Sequence, residues 1–273
     1  MNTETVSLFC KDATCTHKTS KCASGLVNSN LEQYDGKVYA MHFPGAVQEL
    51  KNGHFENTVG GGVQHFWHAN GNLYVVTQDA SLLVYENGSD TSRILLEEYS
   101  GYWEVIFGNY LYFTSSGSIW RIDLDAENPQ KEMLVENATG ITDGQHIYYM
   151  PDDTCYLYRC DMDGSNPELL LDRPVIPAAS NFDEEYYYFR LFTNLEFRGE
   201  DSHDLYRFPK SNPEKIEKIA ELPDTIGTVY TVPGYDKIFV VAYEMVDENT
   251  SIDTVYTMNK DGSDVTKLEL PDV

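Results

Sequence analysis

A short phrase returns six times along this chain, at intervals of about 35 to 50 residues. It is an Asx or Gly turn followed by an apolar–aromatic strand. The copies are Asp35-Gly36-Lys37-Val38-Tyr39, Asn70-Gly71-Asn72-Leu73-Tyr74, Gly108-Asn109-Tyr110-Leu111-Tyr112 and Asp143-Gly144-Gln145-His146-Ile147-Tyr148-Tyr149, with weaker ones at Asp183-Glu184-Glu185-Tyr186-Tyr187-Tyr188 and Tyr235-Asp236-Lys237-Ile238-Phe239. An Asx-Gly pair supplies the positive φ angles of a tight hairpin, and the residues after it favour strands.

A second phrase follows from the second copy onward: an aromatic strand end, a polar turn, then an apolar strand. It runs from Tyr85 to Leu96, Trp120 to Val135, Tyr158 to Leu171, Tyr206 to Ile219 and Tyr256 to Leu270. Each unit therefore reads as four strands joined by hairpins. No stretch carries capped helical periodicity, which excludes helical solenoids. A single blade of this kind exposes two apolar faces, and radial stacking would bury both. The expected fold is all-β, a β-propeller of about six four-stranded blades, with seven as the alternative. The expected division is an N-terminal strand and Cys/His-rich clip over 1–27 and a propeller over 28–273.

Composition agrees with a packed core. Aromatic residues make up 13% of the chain and hydrophobic ones 41%, both too rich for a disordered segment. The 44 acidic residues outnumber the 19 basic ones, for a net charge of −25. Such a surface repels phosphate backbones and anionic headgroups, so nucleic acid is not an expected partner. No run of 18 apolar residues suggests a membrane-spanning helix.

The stretch from Ile147-Tyr148-Tyr149 through Leu157-Tyr158-Arg159 to Asp163-Gly164-Ser165-Asn166 resembles the repeat of bacterial propellers of the DUF5050 and TolB-like group. It is also similar to the YWTD repeat of lipoprotein-receptor propellers. The segment Leu8-Phe9-Cys10-Lys11-Asp12-Ala13-Thr14-Cys15-Thr16-His17 resembles one that follows a blade's last strand in cell-surface propellers of gut Firmicutes. These resemblances imply architecture and an extracytoplasmic or cell-surface setting, with a cytoplasmic one as the alternative. Met1 to Phe9 lacks the charged and apolar regions of a signal peptide. The Thr5–Phe9 stretch would be a blade strand, either left by a trimmed start or closing the last unit.

Few residues invite chemistry. Cys10, Cys15, His17 and Cys22 offer three thiols and an imidazole within one short segment, enough for a tetrahedral structural Zn2+. A disulfide with one spare cysteine, or fully reduced thiols, are the other readings. Cys155 and Cys160 are expected in one strand on opposite faces, with Cys160 in the core. The Asp161-x-Asp163-Gly164 stretch reads as a hairpin, because the twelfth position of a calcium loop is Asp172 and Pro167 interrupts it. No nucleophile elbow is present, and among so many acids no glycosidase pair stands out.

Binding candidates come from aromatics and loops. His65 and Trp67 share one strand face. Long connections are expected between the second and third strands of units five and six, over Leu191–Asp204 and Glu244–Asp253. The first carries Phe192, Phe197 and Arg198, and Trp103 sits at a turn between blades. The expected function is non-enzymatic recognition of, or scaffolding for, a protein, peptide or glycan on one face. A glycan-acting enzyme and a metal- or redox-responsive protein are the alternatives.

Overall fold

The computed structural model describes residues 31–42, 45–51, 54–59, 61–192, 203–231, 235–247 and 250–268. These residues build six four-stranded antiparallel sheets. The first holds β1 (Leu31–Tyr34), β2 (Lys37–His42), β3 (Ala46–Lys51) and β4 (His54–Val59); the second holds β5 (Val63–Ala69), β6 (Asn72–Thr77), β7 (Leu82–Tyr85) and β8 (Ser92–Leu96). The third contains β9 (Tyr102–Phe107), β10 (Tyr110–Ser115), β11 (Ser118–Asp123) and β12 (Glu132–Val135). The fourth contains β13 (Ala138–Thr142), β14 (His146–Pro151), β15 (Tyr156–Asp161) and β16 (Glu168–Pro174). The fifth is β17 (Asn181–Phe182), β18 (Tyr186–Phe189), β19 (Asp204–Pro209) and β20 (Glu217–Glu221), and the sixth is β21 (Thr225–Thr231), β22 (Lys237–Asp247), β23 (Thr250–Asn259) and β24 (Thr266–Lys267). Strands pair in chain order within every sheet. This is a six-bladed β-propeller, and six rather than seven is the number of sheets among the described residues.

The first hairpins form where the repeated phrase places them. Both turn residues of Asp35-Gly36 and of Asn70-Gly71 have positive φ, as a two-residue hairpin turn requires. Second strands are buried on both sides: the central residues of β6, β10 and β14 are all inaccessible, whereas β12 and β24 at the sheet margins are largely exposed. Continuous burial on both faces explains why second strands read as unbroken apolar–aromatic runs.

The described residues cluster into two compact units, one of 31–101 and 122–130, the other of 102–121 and 131–268. In the first, Tyr39, Val47, Val63, Phe66, Leu73 and Val75 form the layer between the first two sheets. In the second, three layers separate successive sheets. One gathers Tyr112, Ile119, Ile147, Tyr149 and Cys160. The next gathers Tyr148, Leu157, Tyr187, Phe189 and Phe208, and the last Tyr188, Leu205, Ile226, Ile238 and Val240. The repeated aromatics therefore pack between blades.

Two local readings change. Cys155 lies in the turn before β15 with a φ of 53°, outside the strand that carries buried Cys160, and both thiols are free. Within the segment expected as a loop over Glu244–Asp253, Glu244–Asp247 and Thr250–Asp253 instead extend the sixth sheet. There Glu244 pairs with Ile252 and Met245 with Ser251. The added residues lengthen the two paired strands, so the insertion is taken up by the ladder.

Candidate functional site

The second unit repeats one polar device at three sheet junctions. Its root is an arginine on the third strand. Arg121, Arg159 and Arg207 each pair with a glutamate on the neighbouring fourth strand, namely Glu132 (2.6 Å), Glu168 (2.5 Å) and Glu217 (2.7 Å). Each guanidinium also donates to a backbone carbonyl of the following sheet: Met162, Lys210 and Lys260 respectively. One side chain thus joins two strands of its own sheet to the next sheet.

A carboxylate completes the device at two junctions. Asp143 Oδ1 accepts the backbone N–H groups of Gln145 and His146, both at 2.9 Å, and so shapes the first hairpin of the fourth sheet. Its Oδ2 lies 3.0 Å from the Lys210 ammonium of the fifth sheet. Asp183 repeats this arrangement, accepting from Glu185 and Tyr186 and pairing with Lys260 of the sixth sheet at 3.1 Å. Burial pushes both carboxyls up, but the two backbone donors and the lysine outweigh it, so each titrates below the usual range. Tyr148 and Tyr188 donate to the same carboxylates. Burial, with the adjacent Asp143 charge, pushes the Tyr148 phenol up to about 12, and Tyr188 is raised for the same reasons. Asp143 and Asp183 are therefore ionised, and Tyr148 and Tyr188 protonated, at neutral pH.

Two cavities adjoin this framework. One, of about 350 Å3, lies among the first strands of the four sheets of this unit. Val105 of β9, Ile141 of β13, Phe182 of β17 and Val229 of β21 give it apolar walls. Thr142, Ser180, Asn181 and Thr228 add polar groups, Glu104 is its one charged lining residue, and Tyr230 stands half exposed at its edge. Asn181 Nδ2 donates to the Val229 carbonyl (2.9 Å) and Thr231 Oγ1 to that of Phe182 (2.7 Å), which fixes β17 against β21. The second cavity, of about 760 Å3, is polar and lies at the junction of the fourth and fifth sheets, around Asp143, Lys210 and Tyr186.

The residues singled out from the sequence are dispersed. His65 and Trp67 do share a face of β5, with ring centroids 5.6 Å apart, and Trp67 stacks on Tyr74. Trp103 is on β9, next to the cavity-lining Glu104. Phe192 is half buried, and its N–H donates to the Pro174 carbonyl at 3.0 Å. Phe197, Arg198, Cys10, Cys15, His17 and Cys22 lie outside the described residues, as does the Thr5–Phe9 stretch. Among the described residues no group of three or more His, Cys, Asp or Glu side chains could hold a metal ion. The Asp163 carboxylate is engaged inside its hairpin, accepting the Ser165 N–H and hydroxyl.

Sequence reasoning passed over the arginine–lysine framework, although a signal was present: the aromatic–arginine pairs Trp120-Arg121, Tyr158-Arg159 and Tyr206-Arg207 recur at one point of the second phrase. It also chose His65 over His68. In the first unit His68 of β5 bonds to Glu32 of β1, its Nδ1 2.7 Å from Glu32 Oε2 and its N–H donating to Glu32 Oε1 at 2.7 Å. The ring stacks on Tyr34 and packs against Tyr39.

The fold is that of a β-propeller, with a concave, amphipathic cavity among the first strands of its second unit. No protein-family profile matches the chain, and no curated protein matches it. Solved structures do. An oligogalacturonate lyase from Vibrio parahaemolyticus superposes with a TM-score of 0.62 at 10% identity, over 88% of this chain and 79% of that one. An oligogalacturonate lyase in complex with manganese gives 0.58 at 11%, over 85% and 72%. A chain of a nidogen–laminin complex gives 0.52 at 14%, over 88% and 92%. At these identities the likeness is one of fold.

Proposed function

We propose that this protein is a non-enzymatic recognition propeller that binds a segment of a partner protein in the cavity among β9, β13, β17 and β21. The observation that carries the reading is the lining of that cavity. Apolar walls from Val105, Ile141, Phe182 and Val229 suit an apolar side chain, and the Thr228 hydroxyl suits an amide of an extended backbone. Glu104 favours a cation at one end, and the net charge of −25 favours a basic partner. The fold itself does not choose, since its neighbours include both lyases and a chain of a protein–protein complex.

The finer reading is a bacterial propeller of the DUF5050 and TolB-like kind, displayed at the cell surface. Among the described residues no helix is long and apolar enough to cross a membrane. In the same reading Cys10, Cys15, His17 and Cys22 hold a structural zinc. Metal analysis and a free-thiol count on untagged protein test this part. One zinc per chain, lost on Cys15→Ser, supports it, and a metal-free chain with a single disulfide among these cysteines refutes it.

Selection from a displayed random peptide library tests the central proposal. Enriched peptides should carry a basic and an apolar residue. They should lose at least about tenfold in affinity when Thr228→Arg fills the cavity, and somewhat less with Tyr230→Ala. Peptides that bind the filled variant as well as the wild type would remove the cavity from the reading. Phe197→Ala and Arg198→Ala belong in the same assay as anchors derived from the sequence.

A further inference from the structure

The larger cavity, at the junction of the fourth and fifth sheets, has chemistry unlike that of the peptide site. We infer that it is a binding site for a short neutral oligosaccharide. Its volume of about 760 Å3 falls within the span of small-molecule pockets. Its lining is mixed with polar groups in the majority: Gln145, His146, Glu184, Glu185, Lys210 and Ser211 present amide, imidazole, carboxylate, ammonium and hydroxyl groups around one hollow. A ligand rich in hydroxyls, each both donor and acceptor, matches a wall that mixes donors and acceptors in this way.

The charge pattern argues against an anion. Asp143, Glu184 and Glu185 outnumber Arg159 and Lys210 in the lining, and both cations are already engaged. Lys210 is 3.0 Å from Asp143, and Arg159 is 2.5 Å from Glu168. An incoming carboxylate or phosphate would meet the exposed Glu185, and Glu184 beside Lys260 (3.8 Å), and would compete with two formed ion pairs. A neutral ligand displaces no charge pairing.

An aromatic surface is also present. Tyr186 lines the cavity, and the Arg207 guanidinium rests 4.1 Å from its ring centroid. The cation holds that ring in place, so the wall is formed before a ligand arrives. A pyranose has an apolar C–H surface and a rim of hydroxyls, the combination that a tyrosine beside amides and carboxylates can satisfy. Lys210 links the two cavities, since its ammonium also lies 5.2 Å from the Phe182 ring of the smaller one.

The test is isothermal titration calorimetry of the full chain against cellotriose, maltotriose, xylotriose, mannotriose and chitotriose, with trigalacturonate as the charged counterpart. At least one neutral trisaccharide should bind with a Kd below about 1 mM. Ser211→Trp, which fills the cavity from an exposed position, should abolish that binding. Gln145→Ala should weaken it at least about fivefold without moving the melting temperature. Thr228→Arg, in the peptide cavity, should leave it unchanged, so that this site and the peptide site fail separately. No binding by any neutral member, binding of trigalacturonate alone, or sugar binding indifferent to Ser211→Trp would each overturn the inference.

Discussion

The Lys260 ammonium of the sixth sheet lies 3.1 Å from Oδ2 of Asp183 in the fifth, and that carboxylate's side chain is only 3% exposed. The same carboxylate holds its own hairpin through the N–H groups of Glu185 and Tyr186, so one side chain couples a turn to the neighbouring sheet. Its titration follows from this geometry. The folded carboxyl titrates below its unfolded value, so its stabilisation is fully present above the unfolded pKa of about 4 and disappears as pH falls through the folded value. Asp183→Asn should cost about 1–3 kcal/mol at neutral pH and flatten the acid limb of the stability curve. Chemical denaturation from neutral to acid pH checks both; an unchanged acid limb would assign the acid sensitivity to other carboxylates.

Gly262 shows why a turn residue can be decided by a neighbouring sheet. Its φ is 84°, and a Cβ there would collide with the Ile219 carbonyl. Gly88 has a φ of 73° but open space around it. Gly88→Ala should therefore cost about 1–2 kcal/mol, the penalty of the left-handed backbone alone. Gly262→Ala should cost clearly more, because the backbone of β20 must also move. Thermal melts of the two variants compare them directly, and equal losses would mean that the sheets separate without resistance.

Glu32 joins the first two sheets of the other unit through both its oxygens. Glu32→Ala strands the His68 N–H and removes the partner of its ring. The expected loss is about 1–3 kcal/mol, with His68→Phe milder because the phenyl ring preserves the packing on Tyr34 and Tyr39. Urea unfolding of the two variants gives the order.

Thiol reactivity should separate the two described cysteines. Burial pushes the Cys160 thiol up to about 12, so it is protonated at neutral pH and sealed in the core. Cys155 is raised as well, by burial and then by Asp152 and Asp153, but it is only half buried. Alkylation of native protein followed by peptide mass mapping should modify Cys155 slowly and Cys160 only after unfolding. Rapid labelling of Cys160 in native protein would show that the layer between the third and fourth sheets opens.

The chain's repeats were legible because they are local. An Asx-Gly pair sets its own hairpin, and the alternation after it identifies a strand without reference to any other segment. Asp35-Gly36 and Asn70-Gly71 turn as their residue types require, and the aromatic runs at Tyr148 and Tyr188 are buried as such runs are expected to be. Even Cys160 could be placed in the core from its strand alone.

What the tertiary structure decided depends on partners distant along the chain. Arg207 reaches the Lys260 carbonyl across 53 residues, and no local pattern states that an arginine on one third strand meets the next sheet's turn. The insertion over Glu244–Asp253 reads as a long connection, yet Glu244–Asp247 and Thr250–Asp253 are paired strand, because ladder hydrogen bonds form with a partner strand rather than within the segment. Phe182 and Tyr230, distant in sequence, line one cavity only because β17 and β21 are brought side by side. The sequence determined which segments become strands and where they turn, since those are short-range steric and hydrogen-bonding choices. Which side chains face each other across the sheets, and hence where a ligand can bind, was settled by packing between blades.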